Sequence, residues 1–487
     1  MFRKQFLLTS KDIAVFNDFI KIKIGSYFLY YHKDLPFSSS KHNDKEAYLL
    51  GSLYSWETPT LSDAEILDSI IPSNSIEEFL NGTSNFYGEF VILYKDKDDV
   101  IVFNDACAQR EIYYDTSFEA FGSQPKIIAK VKPIQANTDK EAIKYYESEY
   151  FKKNCVFVGD STHLINVKHL LANHYINLTT KEVKRFFPIL KKQELPLNDV
   201  AKKAALILKG YVKAISLRHD IIMPVTGGYD SRLLFLASLE ITRPCLYFVS
   251  KHSHMTNDHN DITIPKKLTA LFNKKFQVVE EIDTPKQDFK KEYIDSIDFP
   301  RYVTISNIAK PTNVLLNANI SEVSSCLLGF HTNVNAVNLA ALTSQAPYKF
   351  RIEQYDTWLQ KTNEDTKGLD YHILDLFYWE EFESNWVAKL KTEANAININ
   401  VMSPFNSRYL LTLLLSVKRG ERGVFGNKLY DRIIYYLSEN NKNVINLPIN
   451  PDLPTKTYRF MNKIGVLEIY QAYKLKKKSK KMIKNLK

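Results

Sequence analysis

The apolar run Ile221-Ile222-Met223-Pro224-Val225 stops at Thr226-Gly227-Gly228, and the residues after that stop limit the folds open to this chain. A short, bounded, β-compatible run reads as a buried strand. Asp230 and Ser231 stand where a helix would begin, and Leu233, Leu234, Leu236 and Ala237 supply its apolar side. Strand, glycine turn and helix start together aim backbone N–H groups at an anion. Two adjacent glycines let the backbone approach a phosphate with no Cβ between them. Thr226 and Ser231 add hydroxyl donors, and Asp230 is a hard oxygen ligand suited to Mg²⁺. Two glycines alone are more often a plain turn; the added Thr, Asp and Ser move the reading to nucleotide.

Thr226-Gly227-Gly228-Tyr229-Asp230-Ser231 resembles the pyrophosphate-binding loop of the PP-loop ATP pyrophosphatases, whose pattern is Ser/Thr-Gly-Gly-x-Asp-Ser. All five fixed positions are filled. The resemblance implies ATP and Mg²⁺ as cofactors. Val225, Thr226, Gly227, Gly228 and Ser231 would lie along the phosphates, and Asp230 would hold the metal. That family cleaves ATP between the α and β phosphates, adenylates a carbonyl or carboxylate, and lets a nucleophile, often an amine, displace AMP.

The neighbouring segments fit a parallel sheet. Asp199 to Ser216 has helical spacing, with Asp199 as its cap. Cys245 to Ser250 and Gln277 to Val279 read as strands. A helix between them carries Ile262, Ile264, Leu268, Leu271 and Phe272. Alternating strands and helices imply right-handed crossovers, with ligands at the carboxyl ends of the strands, where Thr226 and Ser250 fall. The resemblance further implies backbone contacts to adenine from Phe248 and Val249, beside Ser250. Asp261 either caps the next helix or is the family's acid there.

The first half reads as β-rich. Ile22 to Tyr31 is hairpin-like, and Ala64 to Leu80 has helical spacing up to Asn81-Gly82. Asn85 to Tyr94 and Val100 to Asp105 flank a five-residue polar turn. The motifs Phe86-Tyr87-Gly88-Glu89-Phe90-Val91-Ile92, Asn104-Asp105, Gln109-Arg110-Glu111-Ile112-Tyr113-Tyr114 and Phe121-Gly122-Ser123, in that order, are similar to the N-terminal domain of the asparagine synthetase family. The resemblance implies an N-terminal-nucleophile glutaminase fold, a two-sheet sandwich between helices. Its chemistry needs a terminal cysteine thiolate. Position two is Phe2 and the first cysteine is Cys107, so this domain is expected to release no ammonia from glutamine.

The expected architecture is thus α/β with α+β. A glutamine amidotransferase-like sandwich occupies 1–190, and a parallel-sheet, HUP-like ATP pyrophosphatase domain with a helical second half occupies 191–473. The junction falls between Phe186 and Asn198, around Pro188 and Pro196. A length of 487 residues suits such a division.

The formal charge of +10 is local: residues 474–487 carry eight lysines and no acid, which leaves the body near +2 (10 minus 8). A near-neutral body argues against specific nucleic-acid binding. The tail reads first as a frayed, solvated end, with contact to an anionic membrane or a partner as its functional alternative. No apolar run reaches membrane-spanning length and the N-terminus lacks an apolar signal core, so a cytoplasmic protein is expected. Cys107, Cys155, Cys245 and Cys326 are widely spaced and read as reduced core thiols.

Family enzymes carry a later strand-loop, Ser/Leu-Gly-x-Gly-x-Asp/Glu, whose acid helps hold Mg²⁺. Its expected place is Ser325 to Asn335, where Gly329 is kept, the acid is absent, and His331, Asn333 and Asn335 stand nearby. Lys428 matches the family lysine that neutralises the reacting phosphates. Asn400-Val401-Met402 replaces a family Glu-Val-Arg, which implies a different acceptor pocket. The resemblance therefore points to an AMP-forming amide ligase. It would act on a small-molecule, glycan or peptide carboxylate, take nitrogen from ammonia or an amine, and work alone or as a homodimer. The alternative is a nucleotide-binding pseudoenzyme serving as a partner subunit.

Overall fold

The computed structural model describes residues 2–14, 17–154, 156–282, 303–310, 312–343, 347–396, 399–423, 426–451 and 455–486. Cys155 lies outside the described residues.

The first half forms β1 (Phe6–Thr9), β2 (Phe19–Ile24), β3 (Tyr27–His32), β4 (Phe37–His42), β5 (Lys45–Tyr54) and β6 (Tyr87–Asp96). It continues with β7 (Asp99–Asn104), β8 (Tyr113–Asp115), β9 (Ala120–Gly122), β10 (Val167–His169), β11 (His174–Asn177) and β12 (Glu182–Arg185). They make two antiparallel sheets, ordered β10-β8-β9-β1-β3-β2 and β12-β11-β7-β6-β5-β4. Strand β6 shows why both faces are covered. Its Val91 and Leu93 enter the core between the sheets, with Leu8, Leu29 and Phe121. Its Phe90, Ile92 and Tyr94 point the other way, under Ile66, Leu67 and Phe79 of two helices. Period-two alternation thus feeds two cores from one strand.

Those helices are Asp63–Ile70 and Ile76–Thr83, where one helix over 64–80 was expected. Pro72 ends the first, and Ser62 and Ser75 each cap a start, the former in a capping box with Glu65. The β6–β7 turn is also tighter than expected. Register pairs Asp96 with Asp99, so Lys97 and Asp98 alone make it, Lys97 at φ +55°.

The second half contains β13 (Asp220–Pro224), β14 (Cys245–Lys251), β15 (Phe276–Glu280), β16 (Asn313–Leu316) and β17 (Asn400–Met402). All pair parallel, in the order β15-β14-β13-β16-β17. The fold is therefore a two-sheet sandwich joined to a parallel α/β domain. Helix Leu197–Arg218 opens that domain and buries Val200, Ala204, Ile207, Tyr211 and Ile215 beside β13. Asp199 does not cap it: the helix begins two residues earlier, after Pro196, with no side-chain cap. Helices Ala336–Thr343 and Lys349–Asp365 cross back and share a core with Leu7, Tyr30 and Tyr113 of the sandwich.

Two expectations are corrected by these elements. Residues 325–335 contain no strand; the strand at that stage of the fold is β16, nine residues earlier, and the chain leaves it through the 3₁₀ turn Asn319–Ser324. The lysine-rich end is not frayed, because helix Leu467–Leu486 buries Leu475, Ser479 and Met482 against the body. Among the described residues no helix is long and apolar enough to cross a membrane.

Candidate functional site

Strand order places the site. Strands β14 and β15 follow β13 on one side, and the chain then returns to add β16 and β17 on the other. The order reverses between β13 and β16, the place in an open parallel sheet where ligands bind at the carboxyl ends of the strands. The glycine turn leaves β13 there, and Asn319–Ser324 follows β16.

The turn is held from several sides. Ser231 Oγ accepts the Thr226 N–H (3.0 Å) and lies 3.0 Å from Thr226 Oγ1. The Gly227 N–H donates to Asp261 Oδ1 at 2.8 Å. The Gly227 carbonyl accepts from Asn450 N–H at 3.0 Å. Arg232, fully buried, donates to the carbonyls of Leu447 and Pro448, which fixes the 447–450 segment over the turn. Helix Tyr229–Ala237 starts at Gly228 with no side-chain cap, so its first N–H groups have no capping side chain to satisfy them.

Asp261 is not the helix cap; His259 is, accepting from the Asp261 N–H at 3.2 Å. The Asp261 carboxylate is left to reach across to Gly227. Thr226, Gly227, Ser231 and Asp261 thus lie together, with Val225 anchored by its N–H to the Phe248 carbonyl (2.8 Å).

Register also sorts Phe248, Val249 and Ser250. Pro224 pairs with Phe248, so Val249 and Ser250 extend beyond the end of β13 and pair only with β15. Backbone groups alternate sides along a strand. Phe248 and Ser250 face the β13 side, and Val249 faces β15. The Phe248 carbonyl is taken by Val225, which leaves Ser250 as the position whose backbone edge overlooks the turn.

Asp230 meets the β16 connection. Ser321 Oγ donates to Asp230 Oδ1 at 2.6 Å. Burial raises the Asp230 pKa above its ordinary value, and the Ser321 hydrogen bond only partly offsets this. The next residue, Glu322, is raised as well, by burial first and then by repulsion from Asp230, against a hydrogen bond from the Tyr378 hydroxyl. Tyr430 fixes this segment by donating to the Ser321 carbonyl at 2.6 Å. Burial raises both carboxylates, and Asp230 raises Glu322 further. A pair of carboxylates, completed by phosphate oxygens and water, is a donor set that Mg²⁺ accepts.

Glu322 is an acid that sequence patterning did not single out. The signal was Val314-Leu315-Leu316, a short apolar run that could have been read as the strand, with Glu322 six residues on. The described contacts of Gly329 run elsewhere. It sits at φ +84°, its carbonyl accepts from Arg419 (2.7 Å), and a Cβ would meet Gln471 at 2.9 Å. His331 beside it is buried, and burial lowers its pKa. Lys428 is exposed at the start of helix Lys428–Leu437, three residues before Asp431, which accepts from the Tyr229 hydroxyl at 3.0 Å.

In the sandwich, Phe2 is packed into the core at 1% exposure, with Leu7 and Tyr30. Burial holds the Cys107 thiol well above its ordinary pKa, so it supplies no thiolate. Cys107, Cys245 and Cys326 form no disulfide.

No protein-family model matches the sequence, and no curated protein matches it. Among solved structures, the chain is similar to an allosteric regulatory enzyme of purine biosynthesis at 9% identity. That likeness covers 55% of this chain and 63% of the other, with a TM-score of 0.23. This chain thus spans less than two thirds of that enzyme's length. It is also similar to the NH3-dependent NAD synthetase from Campylobacter jejuni subsp. jejuni NCTC 11168 in complex with nitrate, at 14% identity over 37% of this chain and 81% of that one, TM-score 0.17. A third likeness, to glutamine phosphoribosylpyrophosphate amidotransferase from B. subtilis complexed with ADP and GMP, is 8% identical over 66% and 71% of the two chains, TM-score 0.23. Likenesses this distant transfer no function, and the site's own residues carry the reading.

Proposed function

We propose that this chain is an ATP-dependent, AMP-forming amide ligase of the asparagine synthetase-like kind. The observation that carries the reading is the hydrogen bond from Ser321 to Asp230 (2.6 Å), which brings the segment bearing Glu322 to Asp230 beside a Thr-Gly-Gly turn where strand order reverses. Mg²⁺, held by these two carboxylates, would supply charge to neutralise the departing pyrophosphate.

The chain's residues do the rest. Thr226, Gly228 and Ser231, with the first turn of helix Tyr229–Ala237, bind the β and γ phosphates. Ser250 presents its backbone edge to the base, with Phe248 and Val249 walling the strand. A carboxylate oxygen of the acceptor attacks the α phosphorus, and the bond from that phosphorus to the bridging oxygen breaks, releasing pyrophosphate. An amine or ammonia then attacks the acyl carbon, loses a proton, and AMP leaves. Lys428 is the cation assigned to the developing charge, reaching from the helix that Asp431 ties to Tyr229. Phe2 and the inert Cys107 favour free ammonia or a substrate amine as nitrogen donor over glutamine. The acceptor class is a small-molecule, glycan or peptide carboxylate, and the setting proposed is cytoplasmic.

Pyrophosphate exchange tests this. Purified protein with ATP, Mg²⁺ and a panel of carboxylates should return labelled pyrophosphate into ATP, and Asp230→Ala and Glu322→Gln should abolish the exchange. ATP binding with no exchange across the panel would instead favour a nucleotide-binding partner subunit. No ATP binding at all would sink both readings.

A further inference from the structure

Helices Thr455–Lys463 and Leu467–Leu486 pack as a C-terminal hairpin, and its outward side differs from the rest of the described surface. Helix Leu467–Leu486 turns Leu467, Leu475, Ser479 and Met482 inward. Ser479 Oγ donates to Asn338 Oδ1 at 2.8 Å, and Gln471 Oε1 accepts from the Phe330 N–H at 3.0 Å. These bonds fix which side faces out. At about 100° per residue, Tyr473, Lys477 and Lys484 lie on the opposite side, and Ile469 and Lys480 sit at its margin, where they also line the groove between this helix and Phe330, Asn338 and Glu353.

The exposure is concentrated. Of the 17 exposed large apolar residues described, six lie between 460 and 483: Phe460, Ile464, Val466, Ile469, Tyr473 and Ile483. Phe460, Ile469 and Tyr473 are each more than 60% exposed. The charge is as one-sided. Residues 455–487 carry ten lysines and one arginine against the single acid Glu468. Lys474 closes the hairpin, its ammonium lying over the rings of Tyr458 (5.8 Å) and Tyr470 (4.5 Å). The hairpin is therefore a held shape whose apolar and cationic side is exposed among the described residues.

We propose that this side docks on an anionic lipid bilayer. Phe460, Ile464, Ile469 and Tyr473 enter the boundary between headgroups and acyl chains, and the lysines meet the headgroups around them. Lysine suits that role, being a flexible, hydrated point charge with no fixed fork geometry to match. With Glu468 as its single acid, the segment carries no alternating charge pattern that would set a register against a protein partner. No residue of the hairpin belongs to the nucleotide site, so this inference stands whether or not the chain is a ligase.

Flotation of the full chain with vesicles tests it. The protein should float with mixed phosphatidylcholine and phosphatidylglycerol vesicles, stay down with phosphatidylcholine alone, and be released by added salt. Ile469→Asp with Tyr473→Asp should abolish flotation. Each of Lys477→Ala and Lys484→Ala should lower partitioning by about fivefold. Pyrophosphate exchange should not change in any of these variants. Absence of flotation on anionic vesicles at low salt, or flotation unaffected by the paired aspartates, would overturn the proposal. So would binding to soluble polyglutamate without binding to vesicles, which would assign the surface to an acidic protein.

Discussion

The carboxylate of Asp261 lies 2.8 Å from the backbone nitrogen of Gly227 and ties the glycine turn to helix Asn260–Ala270. The turn has no room to shift toward that helix: a Cβ on Gly227 would lie 3.2 Å from Asp261 Oδ1 and 3.3 Å from Ile264. Asp261 therefore sets the shape of the turn before any phosphate arrives. A hydrogen bond to a charged acceptor contributes about 1.5–3 kcal/mol. Asp261→Ala should weaken ATP binding by about tenfold, and Asp261→Asn, which keeps the acceptor, should recover most of it. Calorimetric titration with ATP decides. Tighter binding by Asp261→Ala would make the carboxylate a competitor of the phosphate and overturn this role.

Asp230 and Glu322 should trade stability for activity. Each is raised by burial, and Glu322 is raised further by Asp230, so the unliganded pair opposes folding at neutral pH. Glu322→Gln relieves the repulsion and keeps an acceptor for Tyr378. Its melting temperature at pH 7 should rise, while pyrophosphate exchange falls about a hundredfold or more. A variant that loses exchange and also melts lower would mark Glu322 as structural.

The same pair predicts a pH dependence for magnesium-nucleotide binding. Carboxylates with raised pKa take up protons at a higher pH than ordinary ones, and a protonated carboxylate is a poor metal ligand. Apparent affinity for ATP with Mg²⁺ should therefore fall as pH is lowered, earlier than the ordinary carboxylate range would give. Affinity for ATP without the metal should change little over the same interval. Titrations at several pH values, with and without Mg²⁺, check both arms.

Legibility in the sequence followed locality. The Thr226–Ser231 turn was legible as a motif because strand, glycines and helix start are adjacent in the chain, whereas its ties to Asp261, Asn450 and Ser321 come from distant segments. The sandwich was readable in β6 and β7, where ten and six residues carry the pattern. Strand β16, four residues long, gave too short a run to be told from a loop, and Glu322 was lost with it. The capping role of His259 and the reach of Asp261 were invisible for other reasons. The reach of Asp261 depends on which side of the turn the helix lands, a tertiary choice with no local signature, while His259 caps through a local bond but is not among the usual capping residues. The C-terminal helix was misread because its lysines dominate the composition, while its four inward residues, Leu467, Leu475, Ser479 and Met482, are spread over five turns.

Glu381 predicts stability that falls with rising pH. Burial pushes its carboxyl up to about 8, against the Gly159 N–H that it accepts at 2.9 Å. The folded pKa lies above the ordinary 4.5, so the contribution is full below about 4.5 and is lost as pH rises toward 8. The slope is about 1.4 kcal/mol per pH unit. Glu381→Gln keeps an oxygen for Gly159 and carries no charge. It should raise the melting temperature at pH 8 and leave it nearly unchanged at pH 4.5. An equal effect at both values would show that the gain has nothing to do with ionisation.

His169 and His174 set the opposite slope. Burial lowers both to about 4 from the ordinary 6.5, and the nearby cations Lys389 and Arg185 add to the lowering. Both rings are buried, with Nδ1 of His169 3.0 Å from Asn385 Oδ1 and Nδ1 of His174 2.8 Å from the Ala172 carbonyl. A depressed folded pKa gives stability that is full above 6.5 and is lost as pH falls toward 4, about 1.4 kcal/mol per unit for each ring. His174→Asn can keep a donor for the Ala172 carbonyl without titrating. Urea unfolding of that variant between pH 6.5 and 4 should therefore show a slope shallower by about one proton than that of the natural chain. An unchanged slope would mean that the ring is already charged in the folded protein.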